Sequence, residues 1–348
     1  MKMTFRWYGE NDPVTLQNIR QIPQMSGIVS AVYSVPPGGV WSRESIAGVK
    51  DAAHQNGLLF EVVESVPVHE DIKLGLPSRD GYIETFCENI RRLSEAGVTC
   101  ICYNFMPVFD WLRSELSKPL PDGSNALAYD NQTVLDLDPL KSSLSLPGWD
   151  ESYSKEGLKA LMNQYKDIDE EKLWENFAYF INGIMPTCEE CGVNMAIHPD
   201  DPPWGIFGLP RIITGAASYA RMAEICKSPR NGIALCFGSL GADPNNDIAK
   251  IVREAGCERI HFVHARNIKI TGDRCFEESA HPSVNGSLDM YELLKTLHDG
   301  GFDGFIRPDH GRMIWGEQGR AGYGLYDRAL GAVYLTGLWE AIEKQTKG

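Results

Sequence analysis

The chain has 348 residues, 43% of them hydrophobic and 23% charged, a balance that provides a sizeable core and excludes a disordered or collagen-like polymer. Lys and Arg total 33 against 47 Asp and Glu, giving a net charge of −14 and a pI near 5.1. This argues against a broad nucleic-acid or anionic-membrane surface, which needs a positive field, but not against a small anionic substrate held by a few local arginines or a metal.

The first apolar run is MTFRWY (3–8). The N-terminus around it, MKMTFRWYGENDPV, has no long apolar core, and no stretch of about 18 apolar residues occurs anywhere. Neither secretion nor membrane spanning is expected, and the expected compartment is the cytoplasm. GIVSAVYSV (27–35) comes next, followed by SRESIAGVKDAAHQNG, which has helical spacing, a serine N-cap and a terminal glycine. LLFEVVESV (58–66) precedes the helical YIETFCENIRRLSEAG, and VTCICYNF (98–105) is the fourth run. A long interval ends in the helical EKLWENFAYFINGIMPTCEECG and leads to the fifth run, VNMAIHP (193–199). The helical AASYARMAEICK precedes GIALCFGS (232–239), RIHFVHARN (259–267) follows, and SLDMYELLKTLHDGG leads into GFIRPDH (304–310).

Eight strand-like runs alternating with helices imply a parallel sheet with helical crossovers, and eight such units fit an α/β fold of the single (β/α)8 TIM barrel type. An open doubly wound sheet usually has fewer strands and often a Gly-rich first turn, and no G-x-G-x-x-G follows an early strand. The whole of 1–348 reads as one catalytic barrel domain. Its long insertion after the fourth strand, about 106–166, is rich in Pro, Gly, Ser and Asp and is expected at the C-terminal mouth, where such loops cover active sites.

Chemistry concentrates where the last four runs end. His198, Cys236, His264 and Asp309 are separated by 38, 28 and 45 residues, each interval comparable to one strand–helix unit. Each then falls at the equivalent end of a successive strand, and all four side chains are ordinary first-row metal donors. Period-two alternation agrees, since Asn194, Ala196 and His198 share a face, as do Ala234 and Cys236, and Phe262, His264 and Arg266. Taken singly, each has a plainer reading: a rim histidine, a small buried thiol, a turn-forming Asp after Pro. The joint pattern favours a metal site.

Other candidates are weaker. The nine cysteines, an odd number scattered along the chain, read as reduced thiols, and Cys188 and Cys191 in CEEC lie in a helical stretch with no second pair. His261 points away from His264; His54 and His298 fit solvated helix faces. His281 lies in a loop that could reach the mouth, and His69 follows the third strand on the correct rim. Arg266, Arg307 and Arg312 sit close to the donors and could clamp a substrate carboxylate, with plain ion pairing as the rival account. Beyond them GRAGYGLYDRALG begins as a Gly-rich loop able to bring Tyr323 or Tyr326 over the site, with Tyr326 in helical company.

Together FRWYGENDPV, VVESVPVHEDIK, FMPVFDWLRSEL, IHPDDPPWGIFGLPRI and RPDHGR resemble the mannonate dehydratases of hexuronate (glucuronate) degradation, over essentially the whole chain. The resemblance implies a xylose-isomerase-like barrel that dehydrates D-mannonate to 2-dehydro-3-deoxy-D-gluconate with a divalent metal, Mn2+ or Fe2+. It implies His198, Cys236, His264 and Asp309 as metal ligands, His310 and Tyr323 as the acid/base pair with Arg312 nearby, and, more weakly, a homodimer. Donor chemistry alone would suggest Zn2+; the resemblance ranks manganese first. Either member of the pair could be the base, because histidine titrates near neutrality and a cation such as Arg312 could lower a tyrosine. Rival readings are a metal-dependent sugar isomerase or epimerase, expected to present more carboxylates, and a non-catalytic sugar-acid binding protein. A barrel endonuclease is disfavoured by the charge.

Overall fold

The structure, a computed structural model, describes residues 1–139 and 155–346. The strands in chain order are β1 (Lys2–Arg6), β2 (Gly27–Ser30), β3 (Leu59–Glu64), β4 (Cys100–Tyr103), β5 (Glu115–Pro119), β6 (Asn125–Asp130), β7 (Asn194–Ile197), β8 (Asn231–Cys236), β9 (Ile260–His264), β10 (Ile268–Gly272), β11 (Cys275–Glu278) and β12 (Phe305–Arg307). Eight of them close into a parallel barrel in the order β1-β12-β9-β8-β7-β4-β3-β2. Each barrel strand falls on one of the eight apolar runs, with β1 and β8 starting one residue before theirs, so the expected (β/α)8 fold is the fold observed.

The five expected helices form over Arg43–Gln55, Arg79–Glu95, Glu170–Cys191, Ala216–Ile225 and Met290–Asp299. Ser42 caps the first by accepting from the Ser45 amide, satisfying one of the free N–H groups of a helix start. Their apolar faces and the outward faces of the strands make one continuous core around the barrel. The barrel's interior holds a separate cluster, including Val62, Cys102, Ala196, Ala234, Phe262 and Phe305.

That interior layer positions the site. Side chains alternate along a strand, so the residue two places beyond an interior one also points inward, one layer nearer the mouth. Val62 leads to Glu64, Ala196 to His198, Ala234 to Cys236, Phe262 to His264 and Phe305 to Arg307. Register completes the alignment: Cys236 pairs with His264 across β8 and β9, and Arg307 pairs with His264 across β12 and β9.

A second sheet was not anticipated. Its four antiparallel strands run β10-β11-β6-β5, joining two strands of the insertion to a hairpin that follows β9. β5 alternates only between exposed and half-buried residues and gives little apolar signal. The hairpin turns within Gly272–Cys275, where Arg274 adopts φ +49. Phe276 and Tyr129 stack between these strands and help build a second core with Phe109, Leu112 and Trp204. The described part of the insertion, together with the hairpin, therefore forms one packed layer.

Candidate active site

His198, Cys236 and His264 converge, with one donor atom from each lying within 4.8 Å of the others. His198 Nε2 is 3.0 Å from His264 Nδ1, and Asp309 Oδ2 lies 3.7 Å from Cys236 Sγ and 3.9 Å from His264 Nδ1. His198 Nδ1–H donates to the Pro199 carbonyl at 2.6 Å, which leaves Nε2 for the cluster. Burial pushes the Cys236 thiol up, but Arg266 and hydrogen bonds from His198 and His264 outweigh it and hold the thiol well below its usual range. Burial lowers His198, yet Cys236, Glu64 and Asp309 raise it to about 9. A thiolate-prone sulfur, two imidazoles and a carboxylate in one buried cluster fit a divalent cation.

Asp309 adopts φ +61, a left-handed conformation uncommon outside glycine. Asp309 faces Arg307 at 2.7 Å and Arg266 at 2.8 Å, which overcome its burial and hold it well below the usual carboxylate range. His310 stays near it, with Nε2 3.9 Å from Asp309 Oδ1, but its hydrogen bonds go elsewhere. Its Nδ1 is 3.2 Å from Glu278 Oε1 and its Nε2 is 2.8 Å from the Tyr323 hydroxyl. Burial would raise Glu278, but Arg266, His310 and Arg113 bring it down to about 2, so it is an ionised acceptor that holds Nδ1 as the N–H. Nε2 then accepts from Tyr323. Burial raises Tyr323 above its ordinary value despite the cation of Arg307, so the phenol keeps its proton. His198, Asp309, His310 and Tyr323 line one cavity, with Arg6, Tyr8, Glu64, Trp111 and Arg307 on its remaining walls.

The three arginines read as substrate clamps part ways here. Arg307 lines the cavity and also binds Glu64 at 2.9 Å. Arg266 is fully buried against Asp201, Glu278 and Asp309 at 2.7, 2.6 and 2.8 Å, so the protein's own carboxylates take its fork and it does not reach the cavity wall. Arg312 binds Asp122 at 2.7 Å and Asp327 at 2.9 Å. Ion pairing, the rival account, describes both.

Other histidines hold structure. His281 Nε2 reaches the Pro308 carbonyl at 2.8 Å behind the strand end, and His69 caps the helix Glu70–Leu74 while stacking on Tyr82. His261 turns out to the Pro229 carbonyl. Cys188 is buried near the end of its helix, and Tyr326 starts the last helix, packed on Trp315 away from the cavity. Missed by the sequence reading were Arg6 and Glu64, each the last residue of its strand, and Glu278. The first two share the strand-end signal of the metal donors; Glu278 sits in a stretch read as loop.

The D-mannonate dehydratase (UxuA) family model matches residues 1–348. A mannonate dehydratase of Streptococcus agalactiae is 59% identical over 348 residues, all of both chains. The chain belongs to the D-mannonate dehydratase family. The crystal structure of mannonate dehydratase from Streptococcus suis serotype 2 superposes with a TM-score of 0.93 at 50% identity, covering 99% of this chain and 96% of that one. A xylose isomerase domain protein from Planctomyces limnophilus shares the fold alone, at TM-score 0.56 and 12% identity over 98% of each chain. As a D-mannonate dehydratase the chain is a hydro-lyase. Elimination of water takes two proton transfers, one from carbon and one to a departing hydroxyl, and in the cavity two proton-carrying side chains, His310 and Tyr323, touch.

Proposed function

We propose that this chain eliminates water from D-mannonate to give 2-dehydro-3-deoxy-D-gluconate, with His198, Cys236, His264 and Asp309 holding a divalent cation. The observation that carries the reading is the His310–Tyr323 contact of 2.8 Å in the same cavity as two of the donors. The proton on C2 is hard to remove because negative charge develops on the adjacent carboxylate. A bound cation supplies a Lewis acid for that charge. His310, held by Glu278 with an unprotonated Nε2 that exchanges its Tyr323 contact for the substrate, takes the C2 proton. Tyr323, raised by burial, donates to the departing C3 hydroxyl. Trp111, whose ring lies 4.7 Å from that of His310, shields the pair from water. The enol so formed tautomerises to the 2-keto acid.

Manganese or iron(II) ranks ahead of zinc, on the resemblance to the family. The same resemblance supports a homodimer and a place in hexuronate catabolism. A cytoplasmic location accords with the described residues, where no helix is long and apolar enough to cross a membrane. The test is to incubate the purified protein with D-mannonate and manganese and to assay the 2-keto-3-deoxy acid, with D-gluconate as competitor. Product is expected, lost on chelation and restored by manganese. No product from protein that retains its metal would favour a sugar-acid binder, and a ketose product an isomerase.

A further inference from the structure

We propose that Arg6 determines specificity for acid substrates, forming with Arg307 the guanidinium pair that takes the carboxylate of an aldonate. The proposal rests on the reading of the cavity as a sugar-acid site. Arg6 closes β1 and lines the cavity with only 8% of its surface exposed. Around the mouth, Arg113, Arg266, Arg307 and Arg312 each have a carboxylate oxygen within 2.9 Å. Arg6 does not. Its nearest carboxylate is Glu64 Oε2 at 3.4 Å, and the other oxygen of Glu64 already accepts from Arg307 at 2.9 Å.

Nε and Nη1 of Arg6, and the same two atoms of Arg307, have no hydrogen-bond acceptor among the described residues. Burying a guanidinium with unmet donors is costly, and a fold keeps such a group where a ligand supplies the acceptor. The rings of Tyr8 and Tyr33, at 4.8 and 5.9 Å, hold the planar group by cation–π contact and leave acceptors to come from elsewhere. Charge points the same way. Asp309 belongs to the metal donors, so Arg6 and Arg307 share Glu64 alone and retain one positive charge. Two forks from neighbouring strands, β1 and β12, suit the planar geometry of a carboxylate and are wasted on a neutral polyol.

The test is calorimetric titration of the manganese-loaded protein with D-gluconate, the neutral D-mannitol and, in a His310→Asn background that blocks turnover, D-mannonate, with Arg6 kept or changed by Arg6→Met or Arg6→Lys. With Arg6 kept, both acids are expected to bind at least tenfold more tightly than mannitol. Arg6→Met should weaken both acids at least tenfold, raise the KM for D-mannonate more than it lowers kcat, and keep metal content. Arg6→Lys, with the charge but not the fork, should fall between, and it carries the test if Arg6→Met does not fold, a fivefold weakening then being the threshold. Acid binding within twofold of wild type, or weakened only together with metal loss, overturns the proposal. Binding is measured apart from turnover, so the two readings fail separately: absent product leaves an Arg6-dependent acid site standing, whereas wild type that binds no acid removes the sugar-acid reading itself.

Discussion

Asp309 and His310 adjoin in sequence and serve different clusters, Asp309 the donor set and His310 the pair with Tyr323. The roles are therefore separable by substitution. His310→Asn is expected to keep its bound metal while turnover falls by about 10²–10⁴, the usual worth of a positioned acid or base. His264→Ala is expected to lose metal and turnover together. Metal analysis beside initial rates checks both, and wild-type turnover in His310→Asn would remove that residue from the chemistry. The strand-end spacing of His198, Cys236, His264 and Asp309 was visible in the sequence. The charge states of Cys236 and His198 were not, because they depend on groups brought in from other strands, Arg266 for the thiol and Cys236 and Glu64 for the imidazole.

Among the elements, the loop between Gly311 and Leu325 sets Tyr323. It is tied by the Gly311 amide to the Gly322 carbonyl at 2.9 Å and by Arg328, whose Nε donates to the Gly324 carbonyl at 2.6 Å. Gly322 has φ +77, and a Cβ there would lie 2.4 Å from Leu127 of β6. Gly322→Ala is thus expected to cost about 1–2 kcal/mol from the left-handed backbone alone and to displace Tyr323. The expected result is a tenfold or greater loss of kcat with metal retained, read by kinetics and thermal melting; unchanged kcat would show that the loop does not set the phenol. The loop itself was read correctly as Gly-rich. Its anchor on β6 was not foreseen, because β6 pairs with β11, about 145 residues away, and no local pattern announces so distant a partner.

Over the whole molecule, which carries a net charge of −14, inner carboxylates near the cavity are locked to arginines. Asp201 and Glu64, like Glu278, are held below the usual range, in each case against the effect of burial, by Arg113 and Arg266 for Asp201 and by Arg307 and His264 for Glu64. A carboxylate with a depressed folded pKa stabilises the fold above its unfolded value and loses that contribution as the pH falls through its folded one. For Glu278 that window runs from 4.5 down to about 2. The unfolded chain takes up the proton first, so stability is expected to fall below about pH 4.5, by on the order of a few kcal/mol for the cluster. Melting temperatures measured from pH 7 to pH 3 check this; a flat profile would show that the cluster is not coupled to folding.

The sequence by itself determined the barrel and the strand-end spacing of His198, Cys236, His264 and Asp309, because alternation and strand–helix spacing are local and repeat eight times, and its motifs, RPDHGR among them, carried the resemblance to the family. Only the tertiary structure decided which arginines remain free for a ligand. Arg266 and Arg312 looked available beside the donors, yet both are neutralised by carboxylates remote in sequence, Asp201 for the first and Asp122 for the second. Arg6, some 300 residues from His310, proved to be the one at the cavity without a close carboxylate. Charge pairing depends on distance in space, and closing the barrel is what sets those distances.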